Sequence, residues 1–170
     1  MENTNKNKLH KRENKLKFFN YNSLTSTQDK AKEFAKKGLN NIVVVADTQK
    51  KGKGRLGRRW YSDKNGLWFS ILLKLKSLEG ISHLQYLTFV ACIAVLKAIK
   101  KIANLKTNIK WPNDVHYKGK KVCGILTEGI FGKETYVIVG IGLNLNQNRF
   151  PDEIKDTATS LRLVNKKKVK

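Results

Sequence analysis

Arginine is scarce in this chain. Of 35 basic residues only six are arginine, at positions 12, 55, 58, 59, 149 and 162. Cysteine is scarcer: Cys92 and Cys123 stand far apart, have no C-x-x-C partner and sit in the apolar runs VACIAVL and KVCGILTE. That pattern points to buried free thiols and away from a disulfide or a metal site. The three histidines, His10, His83 and His116, show no ligand spacing, so no structural metal is expected. Residues 84–99 are apolar but too short for a membrane span and are interrupted by Gln85, Thr88 and Lys97, which favours a buried helix over membrane contact. The N-terminal MENTNKNKLHKRENKLK is charged and carries no apolar stretch of the kind a secretory signal needs. These absences point to a reduced, cytoplasmic protein.

What is present is lysine, in excess over 13 acidic residues, with a formal net charge of +22. Such a charge suggests a nucleic-acid partner. Here the basic residues are scattered along the whole length, and no zinc-finger spacing, RNP-type aromatic motif or clear helix-turn-helix accompanies them. A compositional bias explains the charge more simply, and no nucleic-acid partner is expected. At 170 residues and 40% hydrophobic content, the chain is long and apolar enough for one globular domain with a real core.

Against this background, GKGRLGRRW at 52–60 stands out, because half of all the arginine falls between Arg55 and Arg59. A guanidinium grips carboxylate or phosphate with a planar fork of donors, whereas an ammonium is a point charge. Glycines let backbone N–H groups approach an anion closely. The stretch therefore reads as a loop that closes over a phosphate or carboxylate, with a solvated basic turn as the alternative. A Walker A loop is excluded, since Gly57 is followed by Arg58 and Arg59 where Lys and Ser or Thr are required.

Around this loop the pattern predicts an α+β domain. TSTQDKAKEFAKKG predicts a helix over 27–37, capped at its start by hydroxyls and ended by Gly38. NIVVVADTQ and LWFSILLKL (67–75) read as strands, and a long helix is expected from about His83 to Lys101. TNIKWPNDVHY, KKVCGILTEGI and ETYVIVGIGLNLN then read as three strands of a meander, with YKGKK and FGKE as hairpin turns. Helices should pack on a mixed, mainly antiparallel sheet. Residues 1–17 are expected to be a flexible basic N-terminus, 18–163 the domain, and 164–170 a basic tail.

Several pieces then occur in one order: STQD, the loop KGKGRLGRRWYS, KWPNDV, GKKVCGILTE, VIVGIGLNLN and TATSL. In this the chain resembles the biotin protein ligases over about residues 20–161. The resemblance implies a fold similar to that of the class II aminoacyl-tRNA synthetases and biotin synthetases. It also implies an enzyme that joins biotin to ATP, giving biotinyl-5′-AMP and pyrophosphate, and then passes biotin to a lysine of a biotin carboxyl carrier protein. Arg55 and Lys121 are the implied catalytic residues, Lys121 contacting biotin's carboxylate and then the α-phosphate. Ser26 and Thr27 match the pair at biotin's ureido end, although a plain helix cap accounts for them equally well. Gln49, Gly52, Trp60, Gly124 and Gly140 match further biotin contacts, Trp60 with a core tryptophan as its alternative. Lys53, Arg58, Lys110, Asn113, Gly142 and Asn144 match positions around the nucleotide. Asp114 matches a place at the Mg2+ bound to ATP, or else belongs to a Pro-Asn-Asp turn. Lys53 replaces a usual arginine and Gln28 a common asparagine. Biotin protein ligases usually continue beyond TATSL, so the domain is expected to be incomplete at its C-terminal end. A non-catalytic module that binds biotin or its adenylate is the rival reading, and lipoyl or octanoyl transfer a lesser one. A monomer or a homodimer is compatible with the resemblance.

Overall fold

The computed structural model describes residues 15–75 and 84–169. The architecture is the expected α+β one: seven strands in a single sheet, with helices on both of its faces. In chain order the elements are β1 (Lys17–Leu24), α1 (Thr27–Lys36), β2 (Ile42–Gln49), β3 (Leu67–Leu75), α2 (Leu84–Ala103), β4 (Asn108–Lys110), β5 (Asp114–Tyr117), β6 (Lys120–Ile130), β7 (Thr135–Leu143) and α3 (Leu161–Asn165). The sheet order is β1-β2-β3-β7-β6-β5-β4. Only β1 and β2 run parallel, joined by the α1 crossover; every other pair is antiparallel.

Strand alternation divides the core between the two faces. Ala31, Phe34 and Ala35 of α1 meet Ile42, Val44, Leu72, Tyr136 and Ile138 on one face. Cys92, Val95 and Ile99 of α2 meet Val115, Ile125, Val137, Val139 and Ile141 on the other. Strand β7 is therefore covered on both sides and reads as a nearly continuous apolar run. Leu72 is wholly buried, and truncating it to alanine would cost roughly 2–5 kcal/mol through lost contacts and a cavity. The apolar side of helix α1 packs on β2, β3 and the first part of β7. Beyond the start of α1 the same face, from Ser70 and Gly140 across to β6 and β5, lines a cavity.

Three features differ from the sequence expectations. Strand β1 was not anticipated, because KFFNYNSL mixes Asn and Ser among its apolar residues, and as an edge strand it buries little. TNIKWPNDVHY is not one strand: it breaks at Trp111–Asn113, across a cis Trp111–Pro112 bond, into β4 and β5. The third difference lies at the C-terminal end, where residues 164–170 were expected to fray. Here Val169 is buried, its N–H donates to Asn146 Oδ1 at 2.9 Å and its carbonyl accepts from Asn146 Nδ2 at 3.0 Å. One asparagine thus pairs with that backbone much as a neighbouring strand would.

The hairpin at Lys118–Gly119, both at positive φ, is the tight turn that YKGKK predicts. Both cysteines are buried and unpaired, as expected. No helix among the described residues is long and apolar enough to cross a membrane. His10, His83 and most of the basic N-terminus lie outside the described residues.

Candidate functional site

The arginine-glycine stretch folds back on itself. Trp60 N–H donates to Gly52 O at 2.9 Å and Gly54 N–H to Arg58 O at 2.7 Å, with a 3-10 turn over Arg55–Gly57 at the tip. Leu56 has φ of 56° there and is 86% exposed. Gly52 is required by close approach, since a Cβ would stand 2.3 Å from Trp60 O. This small hairpin roofs a cavity of about 440 Å³ on the uncovered part of the α1 face, a volume suited to a small organic ligand.

The cavity brings together residues that the sequence scatters over more than a hundred positions. Ser26, Thr27 and Gln49 line it near the start of α1; Lys53, Arg55, Arg58 and Trp60 come from the loop. Lys110, Asn113, Asp114 and Lys121 come from β4, β5, β6 and the turn between the first two, and Gly124, Gly140, Gly142 and Asn144 from the floor and far wall. Of the sequence-predicted residues, only Gly52 is not in the lining; it lies under the loop as its hinge.

Neutral hydrogen-bonding groups gather where α1 begins. Ser26 is the N-cap, its Oγ accepting from Gln28 N at 3.2 Å, so the cap reading is satisfied in full. Gln49 Oε1 accepts from Thr27 N at 2.7 Å, and its Nε2 donates to Ser62 Oγ at 2.8 Å. Gln49 therefore staples helix α1 to the far side of the loop.

Charged groups gather on the loop and on β5–β6. Lys121 Nζ is 2.7 Å from Asp114 Oδ1 and 5.0 Å from the Trp60 ring centroid. Arg55 Nη1 donates to Asn113 Oδ1 at 3.1 Å, while Asn113 Nδ2 donates to Ile125 O at 2.9 Å. Lys53 pairs with Asp29 of α1 at 2.5 Å. Asp114 is the one carboxylate among the described lining residues, and those residues contain no group of three metal-ligating side chains.

Apolar surface lies between these two sets. The Trp60 indole rests on the sheet: a Cβ on Gly142 would meet its Nε1 at 2.3 Å and one on Gly124 its Cζ3 at 3.1 Å. Trp60 Nε1 is buried with no hydrogen-bond partner. A Cβ on Gly140 would meet Gln28 Oε1 at 2.7 Å. The floor glycines thus make room for this chain's own side chains, where the sequence suggested room for a ligand. Asn144 is buried and committed as well, its Nδ2 donating to Thr159 O at 3.1 Å, so it ties the 157–161 segment to the sheet.

A domain of this shape with this distribution of residues has known counterparts. The sequence matches the biotin/lipoate A/B protein ligase family over residues 19–146. The chain belongs to that family. This ligase-family chain is 44% identical, over 144 residues, to the bifunctional ligase/repressor BirA of Bacillus subtilis (strain 168), covering 81% of itself and 44% of that relative. It superposes on the biotin protein ligase of Aquifex aeolicus in complex with biotin and ATP with a TM-score of 0.76 and 40% identity, covering 89% of itself and 62% of that chain. The Leishmania major biotin protein ligase in complex with biotinyl-5-AMP gives 0.69 and 25%, covering 88% and 64%. The ligase-family chain therefore spans between two fifths and two thirds of the length of these relatives.

Some lining residues of the family member escaped the sequence reading. Ser70 and His116 are buried and line the cavity, and so does Gln28, which the sequence marked only as replacing a common asparagine. Ser70 carried a readable signal as a lone hydroxyl inside the apolar strand LWFSILLKL. His116 Nδ1 donates to Gly119 O at 3.0 Å, since a carbonyl only accepts; only the β5–β6 turn reveals that contact. Phe150, Ile154 and Thr157, which wall the cavity, come from an irregular segment with no periodicity to read.

Proposed function

We propose that this chain is the catalytic part of a biotin protein ligase, which activates biotin with ATP and transfers it to a carrier lysine. The observation that carries the reading is the division of one cavity into three chemistries. Uncharged donors and acceptors stand at the start of α1, an indole and aliphatic side chains in the middle, and cations with Asp114 on the loop and β5–β6. Biotin has the same order: a ureido head, an apolar ring and chain, and a carboxylate. Its carboxylate would lie among Lys121, Arg55 and the other cations, where ATP's phosphates also belong.

In the first half-reaction a carboxylate oxygen of biotin attacks the α-phosphorus. The new P–O bond forms as the bond to the β-phosphate bridging oxygen breaks, and pyrophosphate leaves with the electron pair. Negative charge accumulates on the α-phosphoryl oxygens, and Lys121 and Arg55 are preorganised to offset it. The residues present fit a nucleotide-borne Mg2+ more readily than a protein-built metal centre, since Asp114 is the one carboxylate among the described lining residues and Mg2+ commonly takes one or two carboxylates plus phosphate. Bound there, Mg2+ would neutralise phosphate charge. Closing the 52–60 hairpin keeps water from the mixed anhydride.

In the second half-reaction the ε-amine of a lysine on a biotin carboxyl carrier protein, such as that of acetyl-CoA carboxylase, attacks the acyl carbon and AMP leaves. Two buried free thiols support a reducing, cytosolic setting. Biotin-dependent release of pyrophosphate from ATP, followed by labelling of a carrier domain, tests the whole reading. Biotin binding without pyrophosphate release would instead support a binding module.

A further inference from the structure

Behind the uncharged part of the cavity, polar side chains form a relay whose direction is set by charge. Lys32 Nζ lies 2.8 Å from Glu128 Oε1, and Glu128 Oε2 accepts from Gln28 Nε2 at 2.8 Å. The same nitrogen is 3.3 Å from Leu126 O. A carboxylate and a carbonyl only accept. The Gln28 amide therefore has one orientation, nitrogen towards Glu128 and oxygen towards Ser70.

Ser70 Oγ, wholly buried, is 2.8 Å from Gln28 Oε1 and 2.8 Å from Thr27 Oγ1. It has one proton to give. Gln28 is 3% exposed, and leaving its oxygen without a donor would be costly, so Ser70 donates to Gln28. With that proton spent, the 2.8 Å contact between the two hydroxyls needs the Thr27 proton, so Thr27 donates to Ser70; its other neighbour, Gln49 Oε1 at 3.1 Å, is also an acceptor and gives Thr27 no proton. The lone pairs of Thr27 Oγ1 are left to serve the cavity that Thr27 lines.

We infer that Glu128, Gln28 and Ser70 are positioning residues that hold the Thr27 hydroxyl as a hydrogen-bond acceptor, so that the site selects a ligand presenting an N–H there. On the reading above, from which the ligand's identity is taken, that N–H belongs to the cyclic urea of biotin. An acyl group without an N–H at its far end, such as a lipoyl or octanoyl chain, meets an acceptor it cannot satisfy.

The test compares the affinity of the full chain for biotin with that for the two cyclic carbamate analogues in which one ring N–H is replaced by oxygen. Each keeps the shape and exchanges a donor for an acceptor. The wild type should prefer biotin over at least one of them by about tenfold or more. Ser70→Ala frees the Thr27 hydroxyl to turn and donate. Glu128→Gln reverses the relay: Lys32 keeps the remaining carbonyl oxygen, the new amide nitrogen faces Gln28, and the Gln28 amide turns over. Either change should reduce the preference to about threefold or less, whereas a merely structural role would weaken all three ligands by one factor. An unchanged preference in a variant that still melts cooperatively overturns the inference, and so does a wild type without preference; if one variant does not fold, the other decides. A wild type that binds no biotin rejects the biotin reading itself, and this inference with it.

Discussion

Asn113 holds Arg55 with its side-chain oxygen and the β6 backbone with its side-chain nitrogen, so one amide links the tip of the 52–60 hairpin to the sheet. The contact joins residues 58 apart in sequence and lies at the cavity's edge. On the proposed mechanism, closing the loop and gripping an anion would be parts of one event.

Arg55→Gly should leave the fold intact, because an exposed loop residue contributes little to the core. Loss of a charge-assisted contact should speed adenylate release about ten- to a hundredfold. Arg55→Lys should fall between, restoring charge without the bidentate fork. Dissociation rates of biotinyl-5′-AMP from the three proteins measure this, and three equal rates would remove Arg55 from the site.

Lys121→Met should reduce pyrophosphate release by about a hundredfold or more, since on the proposed mechanism it removes the cation that offsets the developing phosphoryl charge. It also leaves Asp114 without its partner. Far-UV circular dichroism should be unchanged, which separates lost chemistry from lost fold.

Gly142→Ala inserts a methyl where the Trp60 indole lies, at 2.3 Å from Nε1. The indole, carried by a loop, should move before the doubly covered strand does. Equilibrium unfolding should register a loss of about 1–3 kcal/mol, and calorimetric titration should register weaker biotin binding. Full biotin affinity in this variant would show that the ring need not rest on the sheet.

Gln49→Leu removes the staple between α1 and the loop and leaves the Thr27 N–H without its present acceptor. The expected loss is roughly 1–3 kcal/mol of unfolding free energy, together with a raised KM for biotin. A change in KM alone would assign Gln49 to the ligand more than to the fold.

Stability should decline at alkaline pH. Burial raises the Cys92 thiol from its ordinary value of 9.0 to about 11, and it pushes Cys123 up further. The hydrogen bond to Glu134 raises Tyr136 from 10.0 to about 12. Each raised value means that the folded state holds the proton more tightly than the unfolded one. The stabilisation is full below pH 9 and is lost as the pH climbs through the folded values. Melting midpoints should therefore fall steadily above pH 9, and replacing both cysteines with alanine should flatten the onset of that decline.

Legibility in the sequence followed the strength of the local signal. Strand β3 was readable end to end because LWFSILLKL is bounded by Gly66 and packed on both sides. Strand β1 was not, since an edge strand with alternating Asn residues resembles a loop until β2 supplies its partner. The Arg55 loop and the KWPNDV turn announced themselves by composition and order. What no local pattern could disclose was commitment: Gln49, Asn144 and Gly140 reach the cavity, yet each is engaged with another part of the chain. The C-terminal lysines read as frayed for the same reason, because the Asn146 side chain that captures Val169 lies 23 positions away.

The placement of Trp60 has an optical consequence. Trp68 is wholly buried, Trp111 is 71% exposed, and Trp60 alone of the three lines the cavity, edge-on to Trp68 with 6.2 Å between ring centroids and with the Lys121 ammonium 5.0 Å from its own. A nearby ammonium shifts indole emission, and a second indole at that distance can exchange excitation with it. A ligand in the cavity, lying against Trp60 and Lys121, should alter both relations, and the emission spectrum on adding biotin checks this. Trp60 emission should then report occupancy, and replacing Trp111, which does not itself line the cavity, with phenylalanine would remove the solvent-exposed background.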